Sequence, residues 1–280
     1  MQKYFFGETK DGRTVNAYIL ENINGIRVEL LDLGCILRQL WLLNRDDSYI
    51  NVIYGLDSVR QYEDDRFSFK TIDCNIYPAS FLQGGINSDN SNISLCRAIS
   101  EELFNVETIE ARTLEEASKG LVFTFKNADK NDHALPLNLE FKLTCILDDD
   151  DSFRIIWDLK ADEAFYADLS FNCYYNLSAD QIITVDPSGK SLCDQGLDEP
   201  ALLRLDKDPD RPSVTLSSPY KGISLELYSD MGYVLIDQSN PFASLISFKN
   251  NGSFTEFTSK AASAPDKRLT FENSLKIIEK

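Results

Sequence analysis

Residues 170–177 form a dense run of side chains that have either a flat face or a hydrogen-bonding tip. The run reads Ser-Phe-Asn-Cys-Tyr-Tyr-Asn-Leu. Amide and hydroxyl groups donate and accept hydrogen bonds, and aromatic rings offer a flat contact surface, so the run predicts a site that recognises a polar ligand. The alternative is that Tyr174 and Tyr175 pack between sheets, because aromatic residues at strand spacing are often core residues.

Histidine and cysteine chemistry is sparse in this chain. The single histidine, His133, lies between polar residues and is predicted to be a surface residue. The six cysteines are scattered without a CxxC pair, which argues against a structural zinc site and predicts free thiols. Cys96 and Cys173 are predicted to be small core residues rather than nucleophiles, because no histidine is available to activate them. We therefore predict no metal and no cofactor.

Four consecutive carboxylates, at positions 148–151, are the other candidate for chemistry. A calcium loop interleaves its acidic residues with glycine and ends on a distal glutamate, and this run has neither feature. It lies between two alternating segments, so it predicts the solvated tip of a β-hairpin.

The segments that position these residues alternate between apolar and polar side chains, which is typical of strands. The cleanest example is residues 138–147, where Leu139, Phe141, Leu143, Cys145 and Leu147 face one side. The predicted strands are 14–20, 26–33, 36–43, 50–54, 121–126, 138–147, 152–160, 181–185, 223–229, 233–236, 244–248 and 274–279. A short helical turn is predicted around residues 114–117. With no long amphipathic helix, repeat or linker, the pattern predicts an all-β antiparallel sandwich in one domain over residues 1–280.

The composition excludes some partners. The net charge is −17 and the isoelectric point is about 4.5, whereas nucleic acids and anionic membranes require basic surfaces. The first residues show no signal-peptide pattern, and no apolar run approaches the roughly 18 residues of a spanning helix. A cytoplasmic location with no membrane and no nucleic acid partner is expected.

Several motifs of the chain, in order, resemble the galactose mutarotase (aldose 1-epimerase) family. The first are Phe6-Gly7, Asp11-Gly12 and the turn Asn24-Gly25-Ile26. Later matches are Leu33-Gly34-Cys35, Asp186-Pro187-Ser188-Gly189 and the central run, whose Tyr174-Tyr175-Asn176-Leu177 resembles the end of the family's Asn-His-Thr-Tyr-Phe-Asn-Leu motif. The resemblance covers most of the chain and implies a large β-sandwich of the galactose mutarotase-like (supersandwich) type.

The resemblance also implies a set of site residues. Members of the family open and close a pyranose ring with a glutamate base and a histidine acid; Glu256 matches the base, and Asn172 stands where the acid histidine falls. Cys96 stands at the second histidine. The resemblance implies that Asp198 binds sugar hydroxyls and that Tyr174 and Asn176 contact the substrate. Because an amide cannot deliver a proton, mutarotase activity is expected to be weak, altered or lost.

Other interpretations of these residues remain open. Glu256 is otherwise a surface strand residue, and Asp198 is otherwise a turn residue. At the level of function, three hypotheses remain: an aldose 1-epimerase-related protein that binds a monosaccharide or sugar phosphate, a non-catalytic carbohydrate-binding or regulatory protein, and a structural interaction module on the same scaffold. The expected partner is a small-molecule sugar, and the expected assembly is a monomer or a weak homodimer.

Overall fold

The computed structural model describes most of the chain. The described residues are 1–43, 48–64, 69, 71–78, 103–112, 117–127, 138–177, 181–185, 190–191, 200–205, 208, 210–250 and 266–279. Within them the chain forms strands and one short helix. The strands are β1 (Gln2–Glu8), β2 (Thr14–Glu21), β3 (Arg27–Leu31), β4 (Leu37–Leu43), β5 (Tyr49–Asn51), β6 (Ile72–Pro78), β7 (Asn105–Arg112), β8 (Ala117–Asn127), β9 (Leu139–Asp148), β10 (Ser152–Tyr175), β11 (Ile182–Val185), β12 (Lys190–Ser191), β13 (Ala201–Arg204), β14 (Val214–Ser218), β15 (Ile223–Ser229), β16 (Tyr233–Asp237), β17 (Ser244–Lys249) and β18 (Asp266–Glu279), and the helix is α1 (Val59–Glu63).

The strands form two antiparallel sheets. The first has five strands in the order β1-β2-β3-β4-β5, so each strand pairs with its neighbour in sequence. The second has thirteen strands and is built around β10, which pairs with β6, β9, β17 and β18. The predicted all-β antiparallel sandwich is confirmed.

Strand β10 is longer than the sequence pattern predicts. A strand was predicted over residues 152–160, with the central run 170–177 in a separate segment, but one strand spans Ser152–Tyr175. The register shifts between Lys160 and Phe165. The polar residues between Lys160 and Phe165 interrupt the alternation of apolar and polar side chains, but the chain continues in the same direction. The two halves of β10 have different neighbours, β9 and β18 first and then β6 and β17.

The main core lies between the two sheets. Every second residue of β10 in its first half, from Phe153 to Leu159, is buried, which is the period that a strand with one covered face requires. Tyr18 of the small sheet meets Phe123 of the large sheet edge to face, with ring centroids 6.2 Å apart. Trp157 is fully buried and contacts Phe141, at 6.1 Å between centroids. The Tyr18–Phe123 contact joins the two sheets over one apolar interior.

The four-aspartate run is the predicted hairpin tip, between β9 and β10. Asp151 adopts a positive φ of 65°, a conformation that aspartate tolerates in turns. Its carboxylate accepts hydrogen bonds from the side-chain amides of Asn22 and Asn24, each at 2.8 Å. Both asparagines belong to the turn between β2 and β3, so this acidic turn connects the two sheets.

Other local features also differ from the sequence pattern. The helix α1 was not predicted; Ser58 caps it by accepting a hydrogen bond from the backbone N–H of Gln61. Strand β7 lies in an acidic and apolar segment that shows no clean alternation. Of the helical turn predicted at residues 114–117, Ala117 begins strand β8 instead, and residues 114–116 lie outside the described part.

Candidate functional site

The central run lies along the second half of β10, between β6 and β17. Its odd-numbered residues, including Phe171 and Cys173, face the core and are buried. Its even-numbered residues Ser170, Asn172 and Tyr174 line a cavity of about 360 Å³ on the opposite face of the sheet. Cavities of roughly 300–1,000 Å³ hold small molecules.

The floor of the cavity is organised in rows that cross the strands. In the first row, Ser170 of β10 pairs with Asp73 of β6 on one side and with Lys249 of β17 on the other. Ser170 is buried, while the two charged residues are partly exposed. A carboxylate and an ammonium group therefore flank a short hydroxyl side chain.

Asn172 lies in the next row, opposite Ser247. The Ser247 hydroxyl donates a hydrogen bond of 2.6 Å to the Asn172 side-chain oxygen, and the Asn172 backbone N–H donates to the Thr71 carbonyl at 2.7 Å. The side-chain amide is thereby oriented at the cavity floor. It can hydrogen-bond a ligand but cannot act as a general acid.

Tyr174 closes the far end of the cavity with Leu245 and Asp237. The Tyr174 side chain is only 8% exposed, and its ring lies 4.2 Å from that of Phe69, centroid to centroid. Tyr174 therefore packs in a small apolar cluster and also borders the cavity. The neighbouring Tyr175 is 2% exposed and belongs to the main core.

Of the other predicted site residues, Asn176 is the one that the structure describes, and it does not line the cavity. Asn176 is exposed at the end of β10, and its backbone N–H donates to the Val52 carbonyl at 2.9 Å; it is not among the described residues that line the cavity. Glu256, Asp198 and Cys96 lie outside the described residues, as does His133. Their predicted roles stay predictions.

Cys173 has the character of a core thiol, as predicted. It is 3% exposed, and burial raises the pKa of its thiol to about 12, the largest effect on that group. A thiol with such a pKa is protonated at neutral pH and is a poor nucleophile. Cys35 and Cys145 are also buried free thiols whose pKa values are raised by burial.

Asp73, Lys249 and Ser247 are cavity residues that the sequence reasoning missed. Asp73 lies in a segment with little regular pattern, and the other two belong to a strand predicted only for its apolar alternation. One signal was present. Ser247 and Lys249 occupy the polar positions of that alternation, and the outward face of a strand beside the central run is where ligand contacts would lie.

A second, larger depression of about 750 Å³ lies on the same face of the sheet, along the first half of β10. Arg154 of β10, Tyr228 of β15 and Ser274 of β18 border it. Arg154 is paired with Asp148 at 3.1 Å. The Tyr228 phenol donates to Glu226 at 2.7 Å, and burial, followed by this hydrogen bond, raises its pKa to about 12. Of the predicted site residues that the structure describes, Asn172, Tyr174 and Asn176, none lines this depression.

Comparison with solved structures shows which fold this is. The chain is similar to a galactose 1-epimerase from Lactobacillus acidophilus, with a TM-score of 0.72 and 15% identity over 99% of each chain. It is also similar to an aldose epimerase homologue from C. elegans, with a TM-score of 0.67 and 17% identity over 94% of this chain and 99% of that one. A galactose mutarotase-like protein from Clostridium acetobutylicum aligns with a TM-score of 0.68 and 10% identity over 100% of this chain and 99% of that one.

These similarities define the class of the molecule as a galactose mutarotase-like β-sandwich, as the sequence motifs implied. No protein-family profile matches the chain, and no curated protein matches it either. At identities of 10–17% the structural likeness establishes the fold, and the activity has to be argued from the site. Within the described residues, no helix has both the length and the apolar character to cross a membrane.

Proposed function

We propose that this protein binds a monosaccharide or a monosaccharide phosphate in the cavity along the second half of β10, with mutarotase activity that is weak or altered. The observation that carries the proposal is the placement of Asn172 and Tyr174. These two residues of the family-like run line one cavity of about 360 Å³, next to hydroxyl and charged side chains.

The chemistry of the cavity suits a polyhydroxylated ring. Ser170, Asn172 and Ser247 offer hydrogen-bonding groups on the floor, while Leu235 and Leu245 provide apolar surface. Sugars present both hydroxyl groups and apolar ring faces, so a site with a few convergent polar groups and apolar walls matches them.

The resemblance adds further contacts as proposals. Glu256 is the candidate base, Asp198 a candidate partner for sugar hydroxyls, and Cys96 and Asn176 candidate contacts at the edge. A role in carbohydrate metabolism follows from the same resemblance. The solved neighbours named for galactose 1-epimerase and aldose epimerase support this scaffold as one used with aldoses.

Calorimetric titration with a panel of hexoses and hexose phosphates tests the proposal. We expect heat of binding for at least one sugar at millimolar concentration, and loss of that heat in Asn172→Leu, which removes the amide at similar volume. Ser274→Leu is the matched control, because it adds an apolar side chain in the larger depression and leaves the proposed cavity intact. If binding is lost in Ser274→Leu and kept in Asn172→Leu, the sugar binds in the larger depression and the proposed site is wrong.

A structural interaction module on the same scaffold is the competing function. It predicts no sugar binding to the folded protein at any concentration up to tens of millimolar. A non-catalytic binding protein, in contrast, gives heat of binding without any acceleration of mutarotation, so the titration and a rate measurement together separate the three hypotheses.

A further inference from the structure

The first row of the cavity holds two charged side chains, Asp73 and Lys249, that lie outside the central run. Asp73 and Lys249 pair with Ser170 from opposite sides, so they lie two strand spacings apart, about 10 Å between their backbones. Both side chains line the cavity. Ser170, whose side chain is short, lines the same cavity between them.

The two side chains have complementary proton chemistry. A carboxylate accepts protons, and an ammonium group carries three that it can donate. Lysine reaches across its row on a flexible four-carbon stem, which lets its nitrogen approach an atom held above Ser170. Mutarotation needs these two functions at one anomeric centre, because one proton leaves the anomeric hydroxyl and another reaches the ring oxygen.

We propose that Asp73 and Lys249 are the base and the acid of a mutarotation that uses neither the position of Asn172 nor the Glu256 base that the resemblance implies, an inference that rests on the proposed binding of an aldose in this cavity. The Asp73 carboxylate takes the proton of the anomeric hydroxyl. The C1–O1 bond becomes a carbonyl as the C1–O5 bond breaks, and the electron pair left on O5 takes a proton from the Lys249 ammonium group.

The same two groups close the ring. Rotation about C1–C2 presents the other face of the aldehyde to O5. The neutral Lys249 amine then takes the O5 proton as O5 attacks C1, and protonated Asp73 returns its proton to O1. The cycle restores both side chains and consumes no co-reactant.

Asp237, the other carboxylate among the described residues that line the cavity, is not placed for this role. Asp237 lies in the row of Tyr174 and Leu245, three strands from Asp73 and four residues further along. Its carboxylate accepts a hydrogen bond of 2.8 Å from the backbone N–H of Ser239 in the following turn. It therefore borders the far end of the cavity, away from the Asp73–Lys249 row.

Optical rotation of fresh α-glucose and α-galactose in dilute buffer measures the reaction, and calorimetry on the same proteins measures binding. We expect the wild-type protein to accelerate mutarotation and Asp73→Asn and Lys249→Arg each to lower the protein-dependent rate by about 10²-fold, within the range for loss of a proton-transfer group. Lys249→Arg is the decisive variant because it keeps the positive charge, and a guanidinium does not release its proton in proteins. Sugar affinity should change much less than the rate.

Two control variants remove the same charges elsewhere. Lys142→Met acts on the exposed side of β9, and Asp158→Asn acts on the first half of β10; both should retain the wild-type rate. A rate that persists in Lys249→Arg, or a wild-type protein that binds sugar without accelerating mutarotation, overturns this inference and leaves the proposed binding function standing. A wild-type protein that binds no sugar overturns the proposed function itself.

Discussion

At the scale of single residues, Asn172 is an amide at the position where the resemblance places an acid histidine. The Ser247 hydroxyl donates a hydrogen bond of 2.6 Å to the side-chain oxygen of Asn172 and thereby orients the amide. This amide can offer a ligand only hydrogen bonds. An imidazole at this position can accept the same hydrogen bond on one ring nitrogen and turn the other toward the cavity.

Asn172→His is therefore expected to raise the mutarotation rate, by about tenfold to a hundredfold, because it adds a proton donor without removing the Ser247 contact. The rate of this variant should stay below that of an enzyme with the complete family site, because the positioning of the substrate contributes as much to the rate as the acid does. Optical rotation measures the rate. Asn172→Gln, which keeps an amide, is the control and should show no gain. Equal rates for the histidine and glutamine variants, with sugar still bound, would mean that residue 172 does not face the ring oxygen.

At the scale of secondary-structure elements, a buried ion pair holds the small sheet together. Arg38 of β4 contacts Glu29 of β3 at 2.7 Å, and the two side chains are 11% and 2% exposed. The arginine also donates to the Leu56 carbonyl at 2.8 Å, which ties the segment before α1 to the sheet. The phenol of Tyr4 in β1 donates to Glu29 at 2.7 Å. Burial is the largest cause that raises the pKa of this phenol to about 12, followed by the hydrogen bond to Glu29.

Arg38→Met should lower the free energy of unfolding by about 3–5 kcal/mol, because it leaves the Glu29 carboxylate buried without its cation. Arg27→Met is the matched control. Arg27 pairs with Glu21 at 3.0 Å in the same sheet, but these side chains are 39% and 37% exposed, so its loss should cost about 1 kcal/mol or less. Urea denaturation followed by circular dichroism gives both values. Similar losses for the two variants would mean that burial does not set the cost of breaking the Arg38 pair.

At the scale of the whole molecule, the two sheets share one core and are joined by backbone hydrogen bonds. The segment after β5 reaches the end of β10, where the Tyr54 backbone N–H donates to the Tyr174 carbonyl at 2.8 Å. The turn between β2 and β3 contacts the turn between β9 and β10 through Asn22 and Asp151. We propose that such contacts make residues 1–280 one domain.

A single domain predicts one cooperative unfolding transition, because neither sheet can keep its apolar face covered without the other. Scanning calorimetry should give one peak whose calorimetric enthalpy equals the van't Hoff enthalpy, and far-UV and near-UV circular dichroism should melt at the same temperature. Two resolved transitions would show two separate cores and reject the single domain.

The sequence by itself determined the fold class and most of the strands. Burial on one face of a strand imposes a two-residue period that is visible locally, as in Leu139–Asp148, where the prediction and the structure differ by one residue at each end. Turn chemistry is local as well, and Gly25, at a φ of 80°, takes the positive value that the Asn-Gly turn predicts. The motif order pointed to the galactose mutarotase-like sandwich for the same reason, since each motif is a turn or a strand end.

Only the tertiary structure decided which side chains meet in the cavity. Asp73, Ser170 and Lys249 are far apart in sequence and become neighbours through the register of β6, β10 and β17. Cross-strand register depends on contacts along whole strands, so no local pattern at these positions predicts it. The length of β10 could not be predicted for a similar reason. The polar residues after Lys160 resemble a turn between two strands, whereas in the structure the strand continues because it pairs with β18 before this point and with β6 after it.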